Sequence, residues 1–284
     1  MTNIDQLMAQ FRPSYAVNSF VIKFLHEVLK RNETRFPEHL KHSYRNVSDH
    51  ETGIKPMLLL HFNPDSPPWI HEMVDSTIQD LSQANEQGIT ILPPPPTASH
   101  LIAQLSIQTI KQHCPITFDL VKKMVNEAVL VGGRGLRGAS SKKHLGTILV
   151  GMNENHSISD YIDTFTHEAS HIDLYIRSFA TSFISDPQHL LASPIRSTPR
   201  PAEAVLHATF VTARVALTLT NIALHTRDKN LRQTSETLAT KNLTQAALGV
   251  SILQRSQLLT RPGEHLISNI RSTIDNLLYP YHRG

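Results

Sequence analysis

Residues 157–179 read SISDYIDTFTHEASHIDLYIRSF, and the rest of the chain takes its meaning from this stretch. Ser157 followed by Asp160 has the form of a capping box, a hydroxyl at the N-cap and a carboxylate three residues on. Ile158, Ile162, Phe165, Ala169, Ile172, Ile176 and Phe179 then recur at steps of four and three, the stripe of an amphipathic helix. Within it lies His167-Glu168-Ala169-Ser170-His171, a His-Glu-x-x-His pattern. Positions four apart stack on one helical face, so the two imidazoles can take neighbouring corners of one metal's coordination shell, with Glu168 beside them. At about 100° per residue, His167 and His171 fall roughly 160° and 120° from Phe165. They stand away from the apolar stripe, on a side that also carries Leu174. The spacing therefore predicts a central helix covered on both sides.

A second helix is expected at 201–220, PAEAVLHATFVTARVALTLT. Pro201 suits a first turn, where no backbone N–H is needed, and the run is apolar nearly all round. Its ionisable side chains are Glu203, His207 and Arg214, whose spacings place them within about 40° of one another on the wheel. Buried charge is costly unless paired or bound to a metal. This stripe therefore offers a third ligand, Glu203 or His207. It is also what a structural ion pair with a core histidine would look like.

Composition bounds the possibilities. The chain has 284 residues with a formal charge of +3, from 27 basic and 24 acidic side chains. That balance gives no broad electrostatic case for nucleic acid or a membrane surface as partner. A single cysteine, Cys114, excludes an internal disulfide and fits a reducing compartment. The start, MTNIDQLMAQFRPSYAV, lacks the basic and apolar regions of a signal peptide, and no uncharged apolar run approaches a membrane span. The expected location is the cytoplasm.

Taken in order, the chain suggests an amphipathic helix at 14–31, a polar region with the apolar run Met57–Leu60, and a helix at 68–87. A stiff connector follows at Pro93–Pro96, then helices at 98–113 and 116–127. Ala128–Val131 and Thr147–Val150 read as two strands. Between them, GGRGLRGASSKKHLG (132–146) lacks the Gly-Lys-Ser/Thr ending of a phosphate loop, which argues against nucleotide binding. It reads as a flexible hairpin loop, or as a flap meeting an anionic substrate. Cys114 reads as a small buried residue rather than a catalytic thiol. Helices are expected again at 202–226, 229–258 and 262–278. The expected fold is mainly α (α+β), a single domain over 1–284 with a helical N-terminal half (1–127) and a metal-binding half (128–284). A small antiparallel β-hairpin or sheet is expected to precede the metal helix.

His-Glu-x-x-His with a downstream carboxylate suits a zinc peptidase, with Glu168 as general base. Two histidines and a carboxylate with open positions also suit non-haem Fe(II) oxygenases, and three imidazoles suit either metal. Spacing does not choose between them. The stretch from His167 to Val215, about fifty residues, resembles the HExxH-motif proteins encoded beside clusters for ribosomally made, modified peptides. It carries His-Glu-Ala-Ser-His-Ile-Asp-Leu (167–174), Arg196 to Arg200-Pro201, and Leu206-His207-Ala208-Thr209-Phe210. Members of that family are Fe(II)- and 2-oxoglutarate-dependent oxygenases that hydroxylate a peptide residue at its β-carbon. The resemblance implies His167, His171 and His207 as iron ligands, Glu203 as a supporting residue outside the coordination sphere, and a precursor peptide as partner. The far carboxylate of 2-oxoglutarate needs a cation; Arg214, on the His207 stripe, and Arg200 are the candidates. The remaining partner considered for Arg214 is Glu203 or Glu168, in an ion pair. A zinc metallopeptidase, or a non-catalytic metal-containing peptide-binding protein, is the alternative.

Overall fold

The computed structural model describes residues 57–83, 89–94, 98–142 and 144–278. The helix expected at 14–31 lies outside them. The described residues form seven helices and a small sheet, a mainly helical α+β fold. In order the elements are β1 (Leu58–His61), α1 (Pro68–Gln83), β2 (Thr90–Leu92), α2 (Ala98–His113), α3 (Pro115–Met124), β3 (Glu127–Arg134), β4 (Gly138–Ala139) and β5 (Thr147–Gly151). There follow α4 (Ile158–Ala180), the short strands β6 (Leu190–Leu191) and β7 (Arg200–Pro201), α5 (Ala202–His225), α6 (Lys229–Ser256) and α7 (Arg261–Leu278).

The sheet precedes α4 as expected, but it is mixed, not antiparallel. Its order is β1-β3-β5-β4, with β2 also paired to β3. β1 and β5 run parallel to β3, while β2 on β3 and β4 on β5 are antiparallel. After β3 the chain skips one position, descends as β4, and returns as β5 into the gap. Residues 132–146 are therefore a crossover containing a strand, and the hairpin reading is corrected. The physical reason lies in the two apolar runs. Val129, Val131 and Leu149 face Ile70, Met73 and Val74 of α1. Ala128, Leu130, Ile148 and Val150 face the helical core on the other side. Strands covered on both faces lose the polar–apolar alternation and are commonly parallel. Gly133, at φ 112°, is where β2 crosses β3 most closely; a Cβ there would run into the Thr90 carbonyl.

α4 is capped as its sequence predicts. The Ser157 side chain accepts from the Asp160 N–H, and the Asp160 carboxylate accepts from the Ser157 N–H at 2.9 Å. Ile162, Phe165, Ala169 and Ile172 are buried on one side, and Leu174 on the other. α5 begins at Ala202 with Pro201 as its N-cap. It packs on α6, α4, α2 and α7. Among the described residues it is the one helix long and apolar enough to cross a membrane, yet 89% of that apolar window is buried within the fold. Its apolarity is that of a core helix. Cys114 is buried too, 1% exposed, with the Asn221 amide donating to its sulfur.

Candidate metal centre

α4 presents Asp163, His167, His171 and Tyr175 at successive turns, and α5 crosses it with Glu203 and His207. The His167 and His171 rings lie 4.9 Å apart, centre to centre. His207 stacks on His171 with ring centres 5.3 Å apart and planes 20° apart, and the two Nδ1 atoms are 3.1 Å from each other. Tyr175 closes the far side, its ring 4.8 Å from His207 and 5.9 Å from His171. The structure thus brings His207 to the His-Glu-x-x-His pair.

Burial is the first cause of the state of all three imidazoles. It holds His167 at about 4, with the Arg137 charge adding to the effect. It holds His207 at about 3, with His171 and Lys142 depressing it and Glu203 opposing them. His171 lies well below the usual imidazole range, through burial and then His167. All three are neutral at pH 7, the state in which imidazole binds metal.

One pair of nitrogens has the spacing of two ligands on a zinc- or iron-class ion. Two nitrogens about 2.1 Å from a common metal stand roughly 3.0–3.4 Å apart in octahedral or tetrahedral geometry, and the His171–His207 separation of 3.1 Å falls there. The same 3.1 Å is the length of a hydrogen bond between two neutral imidazoles, and His207 Nε2, on the other edge of its ring, is buried with no hydrogen-bond partner, so the ring is only half satisfied. Among the described residues no three His, Cys, Asp or Glu side chains are placed so that together they could hold a metal ion. His171 and His207 form the assembled pair, and His167 stands beside them with its Nδ1 4.0 Å from Asp163 Oδ1.

Asp163 is a site residue that the sequence reading missed. It is 7% exposed, accepts from the Asn242 amide of α6 at 3.4 Å and lies 3.8 Å from Arg137. At 4.0 Å Asp163 is not hydrogen-bonded to His167; a small turn of the ring would let it accept from Nδ1–H, the contact by which a carboxylate fixes a ligand histidine's tautomer and orientation. Asp163→Asn is therefore expected to weaken metal binding about 10- to 100-fold. Competition against a chromophoric chelator measures this; an affinity equal to wild type would show that Asp163 does not orient His167.

Glu168 points to the sheet side. Ser140 donates to its Oε2 at 2.6 Å. A Cβ on Gly138 would lie 2.8 Å from its Oε1, so the glycine is what lets β4 pass this close. Burial raises the Glu168 carboxyl from 4.5 to about 7, against the Ser140 hydrogen bond, which lowers it, with Asp163 adding to the rise. A carboxyl whose folded pKa is raised favours the fold most when protonated. Its contribution is full below about 4.5 and is lost as pH rises through about 7, roughly 3 kcal/mol at 1.36 kcal/mol per unit. In metal-free protein, the stability of Glu168→Gln relative to wild type is expected to rise across that window. Urea titrations at pH 4.5 and pH 8 test this, and a pH-independent difference would remove the buried-acid assignment.

The three ionisable groups of the α5 stripe go to three different partners. Glu203 Oε1 receives Lys142 Nζ at 2.7 Å, and that ammonium also lies 5.6 Å from the Tyr175 ring centre. Arg214, 3% exposed, pairs with Asp173 Oδ2 at 2.7 Å and stacks on Phe210. Arg177 holds the same carboxylate at 3.0 and 3.1 Å. The alternative considered for Arg214, an ion pair with Glu203 or Glu168, is thus corrected: its acid is Asp173, two residues past the second histidine. Arg200 stands in β7, opposite Leu191 and just before the α5 N-cap. The basic crossover loop supplies both Ser140 and Lys142. Tyr175 had a readable signal, four residues after His171 on the histidine face. Lys142 and Ser140 had none, because only the crossover carries them to the helix. No protein-family model matches the chain, and no curated protein matches it significantly.

Proposed function

We propose that the chain is a non-haem Fe(II)- and 2-oxoglutarate-dependent oxygenase. Its substrate on this reading is a residue of a ribosomally made precursor peptide in the cytoplasm, hydroxylated at the β-carbon. The observation that carries the ligand set is the choice of third donor, and iron with 2-oxoglutarate is taken from the resemblance of residues 167–215, since three imidazoles suit either metal. His207 lies 3.1 Å from His171, whereas Glu203 is drawn to Lys142. That favours three imidazoles, His167, His171 and His207, over the two-histidine-one-glutamate set of helical zinc peptidases. When bound, iron and 2-oxoglutarate supply the oxidising power, one oxygen atom going to the substrate C–H and the other leaving in succinate, with release of carbon dioxide. The protein's part is to hold three neutral imidazoles on two crossing helices, with Asp163 behind His167. Tyr175 covers the imidazoles from one side, and Glu168, held by Ser140, lines the sheet side.

The second reading, a zinc metallopeptidase, is favoured by the Glu168 carboxyl at about 7, where a general base works best near neutral pH. One experiment separates the two. Protein reconstituted anaerobically with Fe(II) is exposed to oxygen, 2-oxoglutarate and candidate precursor peptides. Succinate and a peptide heavier by one oxygen atom are expected. Cleaved peptide with zinc, and no succinate with iron, would replace the oxygenase by the peptidase.

A further inference from the structure

Among the described residues three cations lie close to the imidazoles or on the same stripe, and they are held very differently. Arg137 binds Asp160 at 2.9 Å and reaches Asp163. Arg214 is buried against Asp173, a carboxylate it shares with Arg177. Lys142 is on the crossover loop, with its side chain 47% exposed, and its carboxylate partner Glu203 is 34% exposed. An ion pair that open to water contributes little, so it exchanges partners at small cost. Lysine is a point charge on a flexible four-carbon stem, suited to such an exchange. Glu203 lies one turn before His207, and the Lys142 ammonium is 5.6 Å from the centre of the Tyr175 ring, which packs on His207 at 4.8 Å.

We propose that Lys142 is the carboxylate receptor of this site and that Glu203 occupies it as an internal stand-in, displaced when a free dicarboxylate binds. The inference rests on the oxygenase reading for the identity of the ligand, 2-oxoglutarate, and replaces Arg214 and Arg200 as the residue that takes its far carboxylate. Glu203 then has a function separate from the metal: it competes with the ligand. A plain structural ion pair weakens in the same way whichever partner is removed, whereas a competitor and a receptor have opposite effects on the ligand.

The test is calorimetric titration of anaerobic Fe(II)-loaded protein with 2-oxoglutarate and, separately, with succinate, which has both carboxylates but no keto acid. Lys142→Gln is expected to weaken 2-oxoglutarate by roughly tenfold or more, as for loss of one partner of a charged pair. Lys142→Arg is expected to restore most of the affinity, and Glu203→Gln to tighten binding severalfold. Melting curves of the three variants establish that they are folded. Equal 2-oxoglutarate affinity in wild type and Lys142→Gln overturns the proposal, and so does weakening by both Lys142→Gln and Glu203→Gln. If succinate binds in a Lys142-dependent way and 2-oxoglutarate binds no better, the receptor stands and the oxygenase reading falls. If neither dicarboxylate binds wild type, both fall.

Discussion

Replacing Arg214 by leucine is expected to unfold the protein roughly 10 °C earlier while leaving the metal affinity of the folded variant unchanged. Arg214 and Asp173 are both buried, 3% and 0% exposed, and face each other between α5 and α4 at 2.7 Å. Removing one side of such a pair strands the other charge and typically costs about 3–5 kcal/mol. Arg177 remains on Asp173, which places the loss at the lower end. At about 2–4 °C per kcal/mol for a chain somewhat smaller than this one, the melting temperature falls by the stated amount. Asp173→Asn is expected to do similar damage. The double variant Arg214→Leu/Asp173→Asn should recover part of it, since both buried charges are gone and the cation left behind, Arg177, is 21% exposed. Calorimetry on the four proteins closes the cycle. A variant with wild-type melting and a large loss of 2-oxoglutarate affinity would return the cosubstrate to Arg214 and remove it from Lys142.

Loss of either member of the assembled imidazole pair is expected to abolish stoichiometric metal binding. His171→Ala and His207→Ala each delete one of two nitrogens held 3.1 Å apart, and the remaining donors no longer define an edge of the coordination shell. His167→Ala is expected to do the same by removing the third nitrogen. Glu203→Gln is expected to keep a full equivalent of metal, because its carboxylate faces Lys142 and is no part of the three-imidazole set. Metal content after dialysis against a weak chelator measures all four. Metal retained by His207→Ala and lost from Glu203→Gln would establish the peptidase-like ligand set.

Much of the frame was legible in the sequence because local rules govern it. The capping box at Ser157 and Asp160 starts α4 where expected, and the four–three stripe of apolar residues gives its buried side. The apolar run after Pro201 gives α5, and its three ionisable residues do share one face. What escaped was everything that depends on which elements meet. A lone arginine on a buried helix signals that an acid faces it, but Asp173, Glu168 and Glu203 were equivalent until α4 and α5 were placed against each other. The runs at 128–131 and 147–150 carried a signal that went unread: neither alternates, as strands covered on both faces do not. Asp163 repeats the four-residue spacing ahead of His167, yet a carboxylate at that position on a helix is ordinary. Its significance comes from Asn242 and Arg137, which approach from elsewhere in the chain.

The way β5 enters the sheet sets an order of events during folding. Among the described residues β4 pairs with β5 alone, and β5 takes the place between β3 and β4 although it follows both in the chain. β4 and β5, consecutive and antiparallel, can pair locally, but they join the sheet only when β5 docks on β3, a step that must first close the loop from Arg134 to Thr147. Ser140 and Lys142 reach Glu168 and Glu203 only after that. The crossover is thus among the last parts of the chain to become native. Variants within it should change the unfolding rate far more than the refolding rate, the behaviour of contacts absent from the transition state.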